Sequence, residues 1–235
     1  AIIPVSEYDE NLFLFFTTKQ GISKRTQLSA FAHIRTSGLI ALSLREDDEL
    51  ISVRLTDGTK DIIIGTRNGM LIRFPETDVR SMGRTAAGVK GINLDPDDVV
   101  VGMEILEDHL DVLIVTENGF GKRTPAEEYR VQSRGGKGLK TVNITDKNGK
   151  VIAVKAVTPN QDLMLITGTG VLIRLAISDI SRIGRKTVGV KLIRLGENEH
   201  VATVAVVEKE EEQEAEQEKE NEQMNENTST EPQED

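Results

Sequence analysis

The chain has 235 residues, of which 39 are acidic and 29 are basic, so its formal net charge is −10. Taken whole, that charge argues against a nucleic-acid-binding protein, because such proteins usually carry a basic surface. The charge is uneven, however: the segment 208–235 holds 13 acidic and 2 basic residues, a net charge of −11. Residues 1–207 therefore hold 26 acidic and 27 basic residues and form a nearly neutral body with a net charge of +1.

The composition excludes several classes of protein. The absence of cysteine rules out disulfides and thiolate metal sites and favours a reducing compartment, which we take to be the cytoplasm. His33, His109 and His200 are far apart in the sequence, so no metal site is predicted. No apolar run approaches the roughly 18 residues that span a membrane, and no membrane partner is expected.

Residues 1–10 come first in the chain and begin with AIIPV. This run aligns with later segments of the sequence, LISVRL at 50–55 and VIAVK at 151–155. We therefore expect residues 1–10 to form the closing strand of a missing upstream unit, and the chain to be the C-terminal part of a longer array.

Residues 11–207 contain four repeats, called units 1 to 4 below. The turn glycines of the four units are spaced by 48, 50 and 51 residues: Gly21, Gly69, Gly119 and Gly170. A second glycine series is spaced by 50, 50 and 51 residues: Gly38, Gly88, Gly138 and Gly189. Two independent landmarks keep one period, which is the sequence pattern of a repeat architecture.

Each unit predicts four short strands. An apolar run reaches a polar turn whose glycine supplies the positive φ of a tight hairpin, and a strand with a basic residue follows. After an irregular loop and the second glycine come a third strand, such as LIALSL or VKGINL, an acidic or polar turn, and a last strand. We expect an all-β, propeller-like array of about four four-stranded blades with an aliphatic core, since aromatic residues make up only 3% of the chain.

Arginine lies four residues after every turn glycine, and lysine precedes it in two units. These residues are Arg25, Arg73, Arg123 and Arg174, with Lys24 and Lys122. One interpretation is a ring of positive charge for a polyanion. The alternatives are a solvated strand face or a set of arginines that pair with carboxylates of the next blade.

The loop around the second glycine is also basic in every unit. Its candidate DNA-binding residues are Arg35, Arg80, Arg84, Lys90, Lys140, Arg185 and Lys186. A basic stripe that recurs with the repeat favours binding to a phosphate backbone, because each contact releases counterions. With two tyrosines and no tryptophan, a stacking surface for single strands is not expected, and duplex DNA fits better.

Unit 3 carries the most distinctive motif, QSRGGKG. Its residues are Gln132, Ser133, Arg134, Gly135, Gly136, Lys137 and Gly138. Its glycines permit close backbone approach, and its amides with Arg134 and Lys137 predict an anion-binding nest. The alternative is a flexible basic loop.

These elements together resemble the C-terminal domain of the DNA gyrase A protein, and the heptad is similar to that family's box Q-R-R-G-G-K/R-G, with a departure at Ser133. The resemblance covers 1–207 and implies the last four blades of a six-bladed β-pinwheel that wraps duplex DNA. The family's box lies in its first blade, so the heptad here is interpreted as a weaker copy of it.

The resemblance also implies the partners of this chain. They are the N-terminal region of gyrase A and the gyrase B protein, in an A2B2 bacterial enzyme that introduces negative supercoils and uses ATP and Mg²⁺ elsewhere. No cofactor and no activity are expected of the fragment alone. Rival interpretations are a propeller-like protein-interaction scaffold and the related domain of topoisomerase IV.

The acidic segment 208–235 is too polar to order itself and is predicted to be a disordered tail. It either keeps the protein soluble or, as the resemblance implies, competes with DNA for the basic surface.

Overall fold

A computed structural model describes residues 3–34 and 36–209. Within them it shows strands and short 3-10 helices and no α-helix. The strands are β1 Phe13–Thr18, β2 Ile22–Gln27, β3 Leu50–Thr56, β4 Asp61–Thr66, β5 Met70–Pro75, β6 Val89–Lys90, β7 Val100–Leu106, β8 Asp111–Thr116, β9 Phe120–Pro125, β10 Leu139–Lys140, β11 Val151–Val157, β12 Gln161–Thr167, β13 Leu172–Ala176, β14 Val190–Lys191 and β15 Val201–Glu208. The 3-10 helices are Leu28–Phe31, Glu76–Asp78, Ala126–Glu128 and Ile177–Asp179.

The strands form four antiparallel sheets, called blades 1 to 4. Their strand orders are β3-β1-β2-β6, β10-β5-β4-β7 and β11-β8-β9-β14, and blade 4 has three strands in the order β13-β12-β15. The strands β3, β7, β11 and β15 contact one another in succession and form the inner side of the array. The outer edge of each of the first three blades is therefore β6, β10 or β14. The all-β, propeller-like expectation is confirmed.

The core lies between consecutive blades. Successive side chains of a strand point to opposite faces, so Ile62 and Ile64 pack toward Phe15 of blade 1, whereas Ile63 packs toward Val112 of blade 3. Both faces of each middle blade are thus covered, which explains why its strands are continuous apolar runs without alternation. The expectation of an aliphatic core is confirmed as well.

The outer strands correct the predicted assignment of strands to blades. Each outer strand is the third strand of one unit, yet it pairs with the second strand of the preceding unit, as Ile22 with Lys90 and Phe120 with Lys191 show. The loop before it already runs along that neighbour, because the Met82 N–H donates to the Arg25 carbonyl at 2.9 Å. Only two residues of the predicted third strand join the ladder in units 2, 3 and 4.

Two predicted strands do not form among the described residues. The third segment of unit 1, Leu39–Leu44, has no strand pairing, and neither does any residue from 3 to 10. The physical reason is the lack of a partner: β1 is already paired on both edges, and no strand precedes it in the part of the chain that the structure describes. At the other end, β15 extends through Glu208, one residue into the predicted tail, while residues 210–235 lie outside the described residues. In residues 3–34 and 36–209, no helix is long and apolar enough to cross a membrane.

Candidate nucleic-acid interface

The outer strands present one exposed lysine per blade. Each strand is a Val-Lys or Leu-Lys pair whose apolar residue is half-buried against the blade and whose lysine is exposed: Lys90, Lys140 and Lys191. The Lys90 and Lys140 amines donate to the Asn93 and Asn143 side-chain oxygens, at 3.1 and 2.9 Å. No carboxylate among the described residues pairs with these three lysines, so their charge remains available to an anion. We call them the rim lysines.

Arg80 and Lys186 of the predicted set are exposed on the adjoining loops, and no described carboxylate pairs with either. Arg84 is half-buried and lines a cavity of about 570 Å³ together with Leu39 and Ile40 of unit 1. Arg35 lies outside the described residues.

Lys147 was missed by the sequence analysis. Its amine lies 5.5 Å from the centre of the Phe120 ring, and the rim residue Lys191 lies 5.7 Å from the same ring. Lys147 occupies the turn that is acidic in units 1 and 2, at Asp47 and Asp97, so the repeat pattern concealed it. The signal that could have found it was the departure of unit 3 from that pattern.

Three of the four recurring arginines are buried in the blades, and Arg174 on the uncovered strand of blade 4 is exposed. Arg25, Arg73 and Arg123 are each less than a tenth exposed. The Arg73 Nε lies 2.7 Å from Asp61 Oδ2, and Arg123 Nη1 lies 3.1 Å from Asp111 Oδ2. Their burial removes these residues from the predicted ring of phosphate ligands.

Two further units show the same kind of pairing. Arg174 Nε lies 2.7 Å from Asp162 Oδ2, and Arg25 Nη1 lies 3.5 Å from Glu76 Oε2. The carboxylate that opens the first strand of a hairpin faces the arginine of the second strand, twelve positions later in units 2 to 4. The alternative of carboxylate pairing is right about the kind of partner but mostly wrong about its place: three of the four pairs lie within one blade, and only the pair of Arg25 with Glu76 joins neighbouring blades.

Lys24 and Lys122 are buried and point toward the loop of the next unit. The Lys122 amine donates to the Gly184 carbonyl at 2.7 Å and also to the Arg185 carbonyl. The Lys24 amine donates to the Ala41 carbonyl at 2.7 Å and to the Arg84 carbonyl. Burial, together with the nearby arginine, lowers the pKa of each amine to about 8. Neither amine is placed to meet DNA.

The heptad 132–138 lies against blade 2 as an interblade contact. Arg134 donates from Nε to the Asp78 carbonyl at 2.8 Å and from Nη1 to the Lys90 carbonyl at 3.1 Å. The Gly135 N–H donates to the Gly91 carbonyl at 2.6 Å, so this amide is not free to bind phosphate. The predicted anion nest is corrected accordingly.

The rest of the heptad makes similar contacts. The Gln132 N–H donates to the Arg73 carbonyl at 2.8 Å, and the exposed Lys137 amine pairs with Asp95 at 2.5 Å. A Cβ on Gly138 would lie 2.5 Å from the Leu71 oxygen, which explains the glycine. Ser133 is exposed, and Gly136 lies near Ile72.

Comparisons with known proteins agree with this architecture. A family model described as "DNA gyrase C-terminal domain, beta-propeller" matches residues 13–57, 60–107, 110–158 and 161–208. The DNA gyrase A protein of Halalkalibacterium halodurans is 68% identical over 210 residues, which are 89% of this chain and 25% of that protein. The DNA gyrase A protein of Staphylococcus aureus (strain MRSA252) is 53% identical over 203 residues, 86% of this chain and 23% of that protein. The chain thus spans about a quarter of the length of these relatives.

Solved structures show the same fold. The C-terminal domain of DNA topoisomerase IV superposes with a TM-score of 0.83 at 27% identity, covering 88% of this chain and 65% of that one. A DNA gyrase A C-terminal domain superposes with a TM-score of 0.77, covering 86% of this chain and 68% of that one; at 24% identity this match shows the fold alone.

An array of blades whose outer strand comes from the next repeat is a β-pinwheel, a relative of the propeller. The four matched ranges follow the four units, each of which contains the first, second and last strands of one blade. The chain belongs to the DNA gyrase C-terminal domain, beta-propeller family, and the resemblance of the sequence to gyrase A is confirmed.

Proposed function

We propose that this domain binds duplex DNA along its outer strands and bends it around the blades. The observation that carries the proposal is the recurrence of Lys90, Lys140 and Lys191 at equivalent exposed positions on three consecutive blades, without carboxylate partners among the described residues. Exposed Arg80 and Lys186 extend the same surface. Such spacing suits a phosphate backbone that passes from blade to blade.

The distribution of aromatic residues favours a duplex over a single strand. Phe15, Phe16, Phe74, Phe120 and Tyr129 are buried and Tyr8 is exposed, whereas a platform that stacks successive unpaired bases needs several exposed rings. Bending a duplex costs on the order of several kcal/mol, which phosphate contacts on successive blades would offset. The protein-interaction scaffold is not favoured, because the recurrent exposed feature of the rim is charge.

The test is duplex binding measured by fluorescence anisotropy over a salt series. Replacing all three rim lysines by alanine is expected to lower the slope of log affinity against log salt by about 3, since each phosphate contact contributes roughly 0.9. The matched control replaces Lys19, Lys60 and Lys155, which are ion-paired with Glu49, Glu107 and Glu104, and removes the same charge. Equal slopes for the two triple variants would contradict the proposal.

For the whole protein, we propose that this wrap serves an ATP-dependent type II topoisomerase that introduces negative supercoils in the bacterial cytoplasm. The names of the relatives support this proposal. The N-terminal region of gyrase A and the gyrase B protein, in an A2B2 assembly, would supply strand passage and the use of ATP and Mg²⁺, none of which this domain would perform. The proposal includes two further blades before blade 1, in keeping with coverage of 65% and 68% of the solved domains.

Ligation of nicked circles with the protein bound tests wrapping directly. We expect a change in linking number for a version carrying two further upstream blades, and none is expected if the domain binds without wrapping. Removal of residues 210–235 is expected to tighten binding, because the acidic segment would compete with DNA for the rim lysines. Unchanged affinity on its removal would limit that segment to solubility.

A further inference from the structure

The loop of unit 4 that adjoins the DNA-binding surface is held from beneath by one buried amine. Lys122 is fully buried on β9, and its amine donates to the Gly184 carbonyl at 2.7 Å, to the Arg185 carbonyl, and to Thr187 Oγ1 at 3.1 Å. No carboxylate among the described residues lies within ion-pairing distance of this amine. Burying an ammonium without an ion pair is costly, and here its three hydrogen bonds to the 184–187 loop offset that cost.

The same loop reaches back to a rim lysine. Arg185 Nη1 donates to the Lys140 carbonyl at 3.0 Å, and the Arg185 N–H donates to Glu128 Oε2 at 3.1 Å. Lys140 lies on β10, the outer strand of blade 2. A continuous chain of contacts therefore joins Lys122 of blade 3 to the outer strand of blade 2, while Lys186 is exposed on the loop between them.

The preceding joint, where blade 2 meets the loop of unit 3, also holds a rim lysine in place but contains no buried lysine. The residue equivalent to Lys122 in unit 2 is Ile72, and there the loop is held by the Gly135 N–H on the Gly91 carbonyl. Arg134 nevertheless donates to the Lys90 carbonyl at 3.1 Å, as Arg185 does to that of Lys140. Two joints with different contacts thus both fix the backbone of a rim lysine. This indicates that the contacts serve to position that lysine.

We propose that Lys122 is a positioning residue for DNA binding. Its amine ties down the 184–187 loop, so that Lys186 faces outward and Arg185 holds Lys140 at a set distance from the next blade. The inference rests on the proposed DNA-binding function and adds to it a specific division of labour. Buried amines and loop arginines set the geometry, and exposed lysines bind the phosphates.

The primary test is Lys122→Met in the full chain, with Ile72→Met as the matched control at the equivalent place in blade 2. Methionine fills a similar volume without the amine, so the denaturation midpoint of Lys122→Met is expected to equal or exceed that of the unaltered protein. Duplex affinity at fixed salt is expected to fall about fivefold, and the salt slope by about 0.9, as one phosphate contact is lost. Ile72→Met is expected to leave both unchanged.

A double-mutant cycle separates positioning from packing. If Lys122 acts through the rim, Lys122→Met causes no further loss of affinity in a Lys140→Ala/Lys186→Ala background. Fully additive losses would overturn the inference. Should Lys122→Met fail to fold, Thr187→Val removes one acceptor of the amine at the loop and is expected to weaken binding in the same direction.

The outcomes distinguish the inference from the function beneath it. An unaltered protein that binds duplex DNA without salt dependence removes the proposed function itself. An unaltered protein that binds with a steep salt slope, shared in full by Lys122→Met, leaves the function standing and removes the positioning role.

Discussion

Blades 1 to 3 and blade 4 are built from the same repeat, but their outer edges differ. Each of the first three receives a strand from the next unit, whereas β13 of blade 4 has no strand beyond it among the described residues. Val171 and Leu172 on that edge are half exposed, at 50% and 53%. The equivalent residues Phe120 and Gly121 of blade 3 are buried under β14.

The turn glycines show the same contrast at atomic scale. A Cβ on Gly21 or Gly119 would meet Ile92 Cγ2 at 2.9 Å or Ile193 Cγ2 at 2.7 Å, both from the next unit. A Cβ on Gly170 would meet no described atom within 4 Å. A blade of this fold is completed by the next unit, so the stability of the blade depends on the contact between the two.

The largest expected effect concerns the side chain that crosses a joint. Ile92 of unit 2 is 1% exposed and packs in the cluster of Phe15 and Ile62 between blades 1 and 2. Ile92→Ala is expected to lower the free energy of unfolding by about 3 kcal/mol in urea denaturation, since a cavity remains. The control is Leu42→Ala at the equivalent position of unit 1, which is half-buried beside no preceding blade and is expected to cost less than about 1 kcal/mol. Similar losses at the two positions would contradict the conclusion that packing against the preceding blade supplies the stability.

A second pair of variants tests the same difference between blades at the turn glycines. Gly119→Ala and Gly170→Ala share the strain of a positive φ, 75° and 88°, which costs about 1 kcal/mol for an alanine. Gly119→Ala adds an overlap with Ile193, so its loss of unfolding free energy should exceed that of Gly170→Ala by about 2 kcal/mol. Equal losses in chemical denaturation would mean that the joint yields to the added methyl group.

The repeat, the hairpins and the aliphatic core could be predicted from the sequence because each depends on local pattern. The glycine of a tight turn and the apolar run before it are visible in one segment, as at Asp111–Thr116 and Gly119. The exchange of the outer strand could not be predicted, because Val89–Lys90 has the same pattern whether it pairs with its own unit or with the preceding one.

The site was predicted in part for a related reason. Lys90 and Lys140 are exposed, as binding to phosphate requires, but Arg73 and Lys122 were expected on the surface and are buried. A basic residue on a strand can be exposed or buried, and its interaction partners determine which. For Arg73 the partner was visible, since an aspartate precedes the arginine by twelve positions in three units. For Lys122 the partners include backbone carbonyls of another unit, and backbone acceptors cannot be recognised from the residue types in a sequence.

A pH-dependent effect compares the joint that has a buried amine with the joint that has Ile72. Burial lowers the pKa of Lys122 to about 8, against 10.5 for an ordinary lysine, with Arg185 lowering it further and Glu128 opposing the shift. Between these pH values the unfolded chain holds a proton that the folded chain lacks, so the free energy of unfolding rises with pH, at most by about 1.4 kcal/mol per unit. Lys122→Met removes this contribution, whereas Ile72→Met retains it.

The measurement is urea denaturation of the two variants at several values of pH from 8 to 10. The upper limit lies near the ordinary lysine pKa of 10.5, above which the unfolded chain also loses the proton, and Tyr129, whose pKa burial raises to about 12, is present in both variants and cancels in the difference. Lys24, with its pKa also lowered to about 8, is present in both variants and cancels in the difference. The free energy of Ile72→Met minus that of Lys122→Met is therefore expected to increase with pH. A flat difference would show that the Lys122 amine keeps its proton in the folded state, and the two joints would then differ only in which donors hold the loop.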